Sequence, residues 1–199
     1  MLYSFAANVI KVFLSLFGRI NISHKERLPK NGGYVIACTH TGWVDILWLG
    51  VATMPTKLHF MAKKELFENG FTRWLLTNLK AFPVNRENPG PSAIKIPKKL
   101  LKEGKVIGIF PSGTRTQEDV PLKRGAVTIA MTSDVPLVPA AYVGPNNFSD
   151  LKKRQKPMIM YGEPIIPDPE MSKKEKMAYL SSELEKRTNA LKEELQMSK

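Results

Sequence analysis

The chain has a single cysteine, Cys38, among 199 residues, so no intramolecular disulfide can form and zinc sites built on paired cysteines are excluded. A reducing compartment fits such a chain. Cys38 lies in an apolar run, which points to a buried free thiol facing the core, away from any chemistry. Acidic residues are scarce as well: 18 Asp and Glu stand against 30 Lys and Arg, a formal net charge of +12. That surplus attracts polyanions, which admits nucleic acid, anionic membranes and phosphorylated substrates. It is concentrated between Lys57 and Lys105, where 11 basic residues face 4 acidic ones. No nucleic-acid reading motif occurs there, so no nucleic-acid partner is expected. Internal repeats and low-complexity segments are also missing, which removes solenoids and disordered tails. What remains is a length that suits one domain with a proper core.

Residues 2–20 are strongly apolar, but Ser4, Asn8, Lys11, Ser15 and Arg19 recur every three or four positions. On a helix they form one narrow polar stripe. Lys11 would fall near the middle of a spanning helix, which is costly. Neither a basic leader nor a small-residue cleavage site argues for a signal peptide. Two readings remain, a helix packed on the core and a helix lying in a membrane interface. We expect the second, with residues 1–22 as a membrane-associating segment and 23–199 as the main domain.

Beyond Asn31-Gly32-Gly33 the pattern alternates. Strands are expected at 34–38, 58–61, 81–84, 106–110, 137–143 and 157–161. Helices are expected at 43–54, 64–79 (interrupted at Gly70), 92–102 (kinked or shortened by Pro97) and 125–132. Ser172 and Glu175 read as a capping box, opening a C-terminal helix whose Met177, Leu180, Leu184, Leu191 and Leu195 would pack on the body. Strands alternating with helices imply a single α/β domain, its central, mostly parallel or mixed sheet flanked by helices.

The stretch Cys38-Thr39-His40-Thr41-Gly42-Trp43-Val44-Asp45 follows the first of these strands. An α/β fold presents reactive residues at such strand ends. On a continuous helix, positions five apart diverge by about 140°. With His40 in the loop, its ring can fold back onto the Asp45 carboxylate, which would fix the tautomer and support the imidazolium. His40 then suits a general base. No serine or cysteine nucleophile is needed, since a substrate hydroxyl can attack directly. Three further blocks begin or end strands: Phe82-Pro83-Val84-Asn85-Arg86, Phe110-Pro111-Ser112-Gly113-Thr114-Arg115, and Val135-Pro136-Leu137-Val138-Pro139. Arg86 and Arg115 each follow a Phe-Pro turn and are candidates for forked hydrogen bonding to a phosphate. Gly113 permits close backbone approach to a ligand.

Taken together and in this order, the four blocks resemble those of the glycerophospholipid acyltransferases, among them the bacterial enzymes that acylate 1-acylglycerol 3-phosphate. The resemblance covers roughly residues 20–165. It implies that His40 is the base and Asp45 its partner, and that Arg86, Gly113 and Arg115 help to bind a glycerophosphate. It implies too that the acyl donor is acyl-CoA or acyl-carrier protein. Lys64, in Ala62-Lys63-Lys64-Glu65-Leu66, is a further phosphate candidate. Ser112 and Thr114 are acceptor or turn residues, and backbone N–H groups around Val84 are candidates for an oxyanion site. Ser112 stands where the family usually has glutamate, which keeps glycerol 3-phosphate or another lysolipid open as acceptors beside lysophosphatidate. No metal or other cofactor is expected. The expected location is the cytoplasmic face of the cell membrane, with membrane lipids as partners. A non-catalytic basic binding module is the rival of another class; it would not need the His40–Asp45 pairing.

Overall fold

The computed structural model describes residues 2–40, 42–85, 90–111, 120–153 and 155–198. Seven strands form one sheet in the order β1-β7-β6-β2-β5-β3-β4. They are β1 (Asn21–Ser23), β2 (Tyr34–Cys38), β3 (Leu58–Lys63), β4 (Ala81–Val84), β5 (Val106–Ile109), β6 (Leu137–Val143) and β7 (Met158–Tyr161). All neighbouring pairs are parallel except β6 with β7. This is a single α/β domain with a mixed sheet, and β2 lies at its centre. Its five residues are all buried, as a strand covered on both faces requires.

Alternation along the strands divides the core. Tyr34, Ile36 and Cys38 face one layer with Leu14, Val44, Trp48 and Leu49. Val35 and Ala37 face the other, with Ala126, Ile129, Ala130, Leu180 and Leu184. The first layer is built by helices α1 (Leu2–Ser15) and α2 (Val44–Thr53). The second is built by α4 (Ser92–Lys102), α5 (Val120–Ser133) and α7 (Lys173–Met197). The short helices α3 (Gly70–Asn78) and α6 (Phe148–Lys152) complete the α-helices among the described residues. The capping box at Ser172 and Glu175 forms as expected. Leu180, Leu184, Leu191 and Leu195 carry α7 onto the sheet.

Several local expectations need correction. Pro97 does not shorten α4: Ala93, Pro97 and Leu101 are its buried residues. At four-residue spacing they make one apolar stripe whose packing holds the helix through the proline. Gly70 does not interrupt a helix but begins one. Asn69 caps α3 by accepting the N–H groups of Phe71 and Thr72, and a 3-10 turn (Lys64–Phe67) precedes it. Helix α5 starts five residues before Gly125. Strand β1 and helix α6 are too short to leave a periodic signal.

Helix α1 has three faces. Tyr3, Ala7 and Leu14 are buried, and the Tyr3 hydroxyl accepts the Leu58 N–H at 3.2 Å. Ser4, Asn8, Lys11 and Ser15 are exposed, as the polar stripe predicts. Phe5, Val9 and Val12 are exposed too, as is Leu16 just past the end of the helix, on a third face about 100° from the polar one. No helix among the described residues is long and apolar enough to cross a membrane.

Candidate active site

Because β2, β3, β4 and β5 run in one direction, their carboxyl ends share an edge of the sheet. His40 lies two residues past β2, Phe110 follows β5 and Lys64 follows β3. The loop after β2 turns sharply and delivers Asp45 as the second residue of α2. His40 Nδ1 lies 3.2 Å from Asp45 Oδ1 and 3.1 Å from Oδ2. The Gly42 N–H donates to Asp45 Oδ2 at 3.1 Å. Asp45 is 0% exposed, while the His40 side chain keeps 23% of its surface in solvent. A buried carboxylate is tolerated where donors meet it, and the positive end of the α2 dipole adds to them. A carboxylate only accepts, so the proton of this hydrogen bond sits on Nδ1 and the basic lone pair on Nε2.

Supporting contacts come from far along the chain. The His40 ring packs on Phe110, with centroids 4.9 Å apart, and Phe110 stacks on Phe60 at 6.1 Å. The Thr39 hydroxyl accepts the Tyr142 N–H at 2.8 Å, which ties the β2 loop to β6. Gly42 passes so close to the backbone of Asn146 that a Cβ there would collide with its carbonyl. This glycine is required by contact and not by its backbone angle. Cys38 is buried on the α2 face beneath Asp45, not away from it. Burial first, and then the Asp45 charge, push its thiol far above the ordinary range, so it is no nucleophile.

Beside the aromatic stack lies an apolar cavity of about 300 Å³. Leu47 and Gly50 of α2, Phe60 of β3, Ile10 of α1 and Leu76 of α3 line it. Sequence periodicity gave no hint of it, since its walls come from separate elements.

Other expected residues fall differently. Lys64 is exposed at the active edge. Val84 ends β4, three strands from β2, or roughly 14 Å at the usual strand spacing. Arg86, Ser112, Gly113, Thr114 and Arg115 lie outside the described residues. Among the described residues no group of three or more His, Cys, Asp or Glu side chains is placed to hold a metal ion.

Comparison with known proteins supplies the family. The Acyltransferase family model matches residues 19–143. The chain belongs to that family. The match runs from just before β1 to the last residue of β6, so it takes in the whole active edge of this acyltransferase. The chain is 53% identical, over 98% of both chains, to the 1-acyl-sn-glycerol-3-phosphate acyltransferase of Bacillus subtilis (strain 168). It is 35% identical to the protein of that name from Streptococcus pneumoniae, over 83% of this chain and 63% of the other. The crystal structure of the 1-acyl-sn-glycerophosphate (LPA) acyltransferase from Thermotoga maritima shares its fold. The TM-score is 0.69 at 22% identity, covering 95% of this chain and 80% of that one.

Proposed function

We propose that this acyltransferase moves a fatty acyl chain from a thioester donor, acyl-CoA or acyl-carrier protein, to the free hydroxyl of 1-acylglycerol 3-phosphate at a membrane surface. One observation carries the reading. A buried Asp45 holds Nδ1 of a part-exposed His40 and so places the basic lone pair on Nε2, beside an apolar cavity. The names of the Bacillus and Streptococcus relatives support the acceptor.

Nε2 takes the proton of the acceptor hydroxyl as its oxygen bonds to the thioester carbonyl carbon. Asp45 stabilises the imidazolium that results. As the tetrahedral intermediate collapses, the carbon–sulfur bond breaks and the imidazolium returns the proton to the departing thiolate. The apolar cavity suits a hydrocarbon chain, and the Phe60–Phe110 stack shields the imidazole on that side. Arg86, Arg115 and Lys64 are the candidate phosphate ligands. The exposed apolar face of α1 is the candidate membrane contact. Ser112 favours a second reading in which another lysolipid or glycerol 3-phosphate is the acceptor.

The deciding experiment is mass spectrometry of the purified protein with an acceptor panel and both donor classes. Phosphatidate formed from lysophosphatidate, and lost in His40→Ala, is expected. Acylation of glycerol 3-phosphate alone would move the assignment to the second reading. Absence of any acyl transfer would overturn both.

A further inference from the structure

Helix α3 buries none of its nine residues. Leu76 and Leu79 turn inward to the apolar cavity. Phe71, Trp74 and Leu75 follow the i, i+3, i+4 spacing of a single stripe, and all three face solvent. Phe71 is 69% and Trp74 54% exposed, and Leu66 in the preceding turn is exposed as well. The Phe71 and Trp74 rings stack with centroids 6.4 Å apart, so they form one platform. It is held firmly: Asn69 caps Phe71 at 2.9 Å, and Arg73 Nε donates to the Phe67 carbonyl at 2.7 Å. Taking a full aromatic side chain as about 150–250 Å², these two rings alone leave roughly 250 Å² in water. Leu66 and Leu75 extend it towards the roughly 300–600 Å² of the largest apolar patch on a typical monomer, which is often functional.

We infer that α3 is a second membrane-contacting element, its Phe71–Trp74 platform seated at the headgroup–acyl boundary of an anionic bilayer, across the cavity from α1. This rests on the reading that the acceptor is a membrane lipid. Three observations select a bilayer over a protein partner. An indole joins an apolar body to a polar N–H and suits that boundary. The turn and helix that carry the platform are flanked by or contain Lys63, Lys64, Arg73 and Lys80 against Glu65 and Glu68, a basic surplus that complements anionic headgroups. The cavity that α3 lines is also lined by Tyr3, Ala7 and Ile10 of α1, whose outer face exposes Phe5, Val9 and Val12, with Leu16 just past the end of the helix. Two helices with apolar outer faces thus rim one apolar cavity.

The test uses the full chain and vesicles of phosphatidylglycerol mixed with phosphatidylcholine. With lipids brominated in the acyl chain, wild-type tryptophan fluorescence should be quenched, and Trp74→Phe should lose a distinct part of that quenching. Phe71→Ser with Trp74→Ser should weaken vesicle binding about ten-fold or more without lowering the melting temperature, since neither side chain is buried. Phe5→Ser with Leu16→Ser should weaken binding separately and leave the Trp74 quenching on the protein that still binds. Equal quenching in wild type and Trp74→Phe, or unaltered binding by the Phe71/Trp74 variant, overturns the inference. So does a dimer in sedimentation velocity that the Phe71/Trp74 variant abolishes, because the platform is then a protein contact. None of these readouts needs turnover, so failure of the acyl-transfer assay leaves them standing.

Discussion

The chemistry rests on one proton position. His40→Ala should lower the single-turnover rate by about 10²–10⁴; circular dichroism should show it folded, with a lowered melting temperature because the buried Asp45 carboxylate loses a donor. Asp45→Asn should be comparably severe, because an amide can hold the ring in the wrong tautomer; circular dichroism should show it folded. Cys38→Ala should keep activity, and a thiol reagent should react with the wild type only on unfolding, as its burial dictates. His59 is a separate matter. It is nearly buried, its Nδ1 is 3.2 Å from the Val106 carbonyl, and burial holds its pKa below 6.5. The unfolded chain therefore takes up a proton there before the folded one does. Stability should be unaffected by this group above the unfolded value and should fall as pH drops through it. Melting temperatures from pH 7.5 to 5 should show that slope, and His59→Asn should flatten it. The His40–Asp45 pair was legible because one short loop separates His40 from Asp45 at the start of α2. Phe110 and Asn146 were not, because their place beside that loop depends on β5 and on the turn after β6.

At the scale of elements, the β2–α2 loop depends on Gly42. Gly42→Ala should displace the loop from Asn146, loosen the Asp45 hydrogen bond and lower turnover far more than stability. Normal turnover with a full-length Asp45–His40 hydrogen bond in its crystal structure would show that the loop can yield. Helix α1 illustrates what periodicity can and cannot say. Four residues of the polar stripe, Ser4, Asn8, Lys11 and Ser15, are exposed on α1, whereas Arg19 lies beyond its end at Ser15, and the apolar remainder was taken as one face. It is two, because only the sheet decides which of them is buried. Leu14→Ala, at the inner face, should cost about 2–5 kcal/mol in denaturant unfolding, whereas Phe5→Ser, at the outer face, should not. Deleting residues 1–20 would therefore confuse loss of a membrane contact with loss of core, and point substitutions separate the two. Pro97 leaves α4 unshortened for a related reason, since propensity yields where a helix has a buried stripe to pack.

For the molecule as a whole, the strand pattern conveyed the α/β class, but the order of strands was out of its reach. That order puts the ends of β2 and β5 together and leaves β4 at the border, where Pro83 is tolerated because an edge strand lacks a partner on one side. It also sets the cavity against the active edge. Gly50 lines that cavity, with the Phe60 ring 3.8 Å from where its Cβ would stand. Gly50→Leu should fill it and shift the product towards shorter acyl chains in a competition among donors read by mass spectrometry. An unchanged chain profile would place the hydrocarbon elsewhere.

The pairing of β1 with β7 also orders events in time. Asn21, Ile22 and Ser23 lie against Met158, Ile159 and Met160, so an early strand must wait for almost the whole chain. On a ribosome, β1 is made first and secured among the last, and closing so long a loop delays its pairing in refolding too. Ile159→Val, at a fully buried site, should cost about 0.5–1.5 kcal/mol. That cost should appear as faster unfolding with little change in the folding rate. Until β7 docks, the apolar surface of the N-terminal segment stays available to whatever hydrophobic phase or chaperone is at hand.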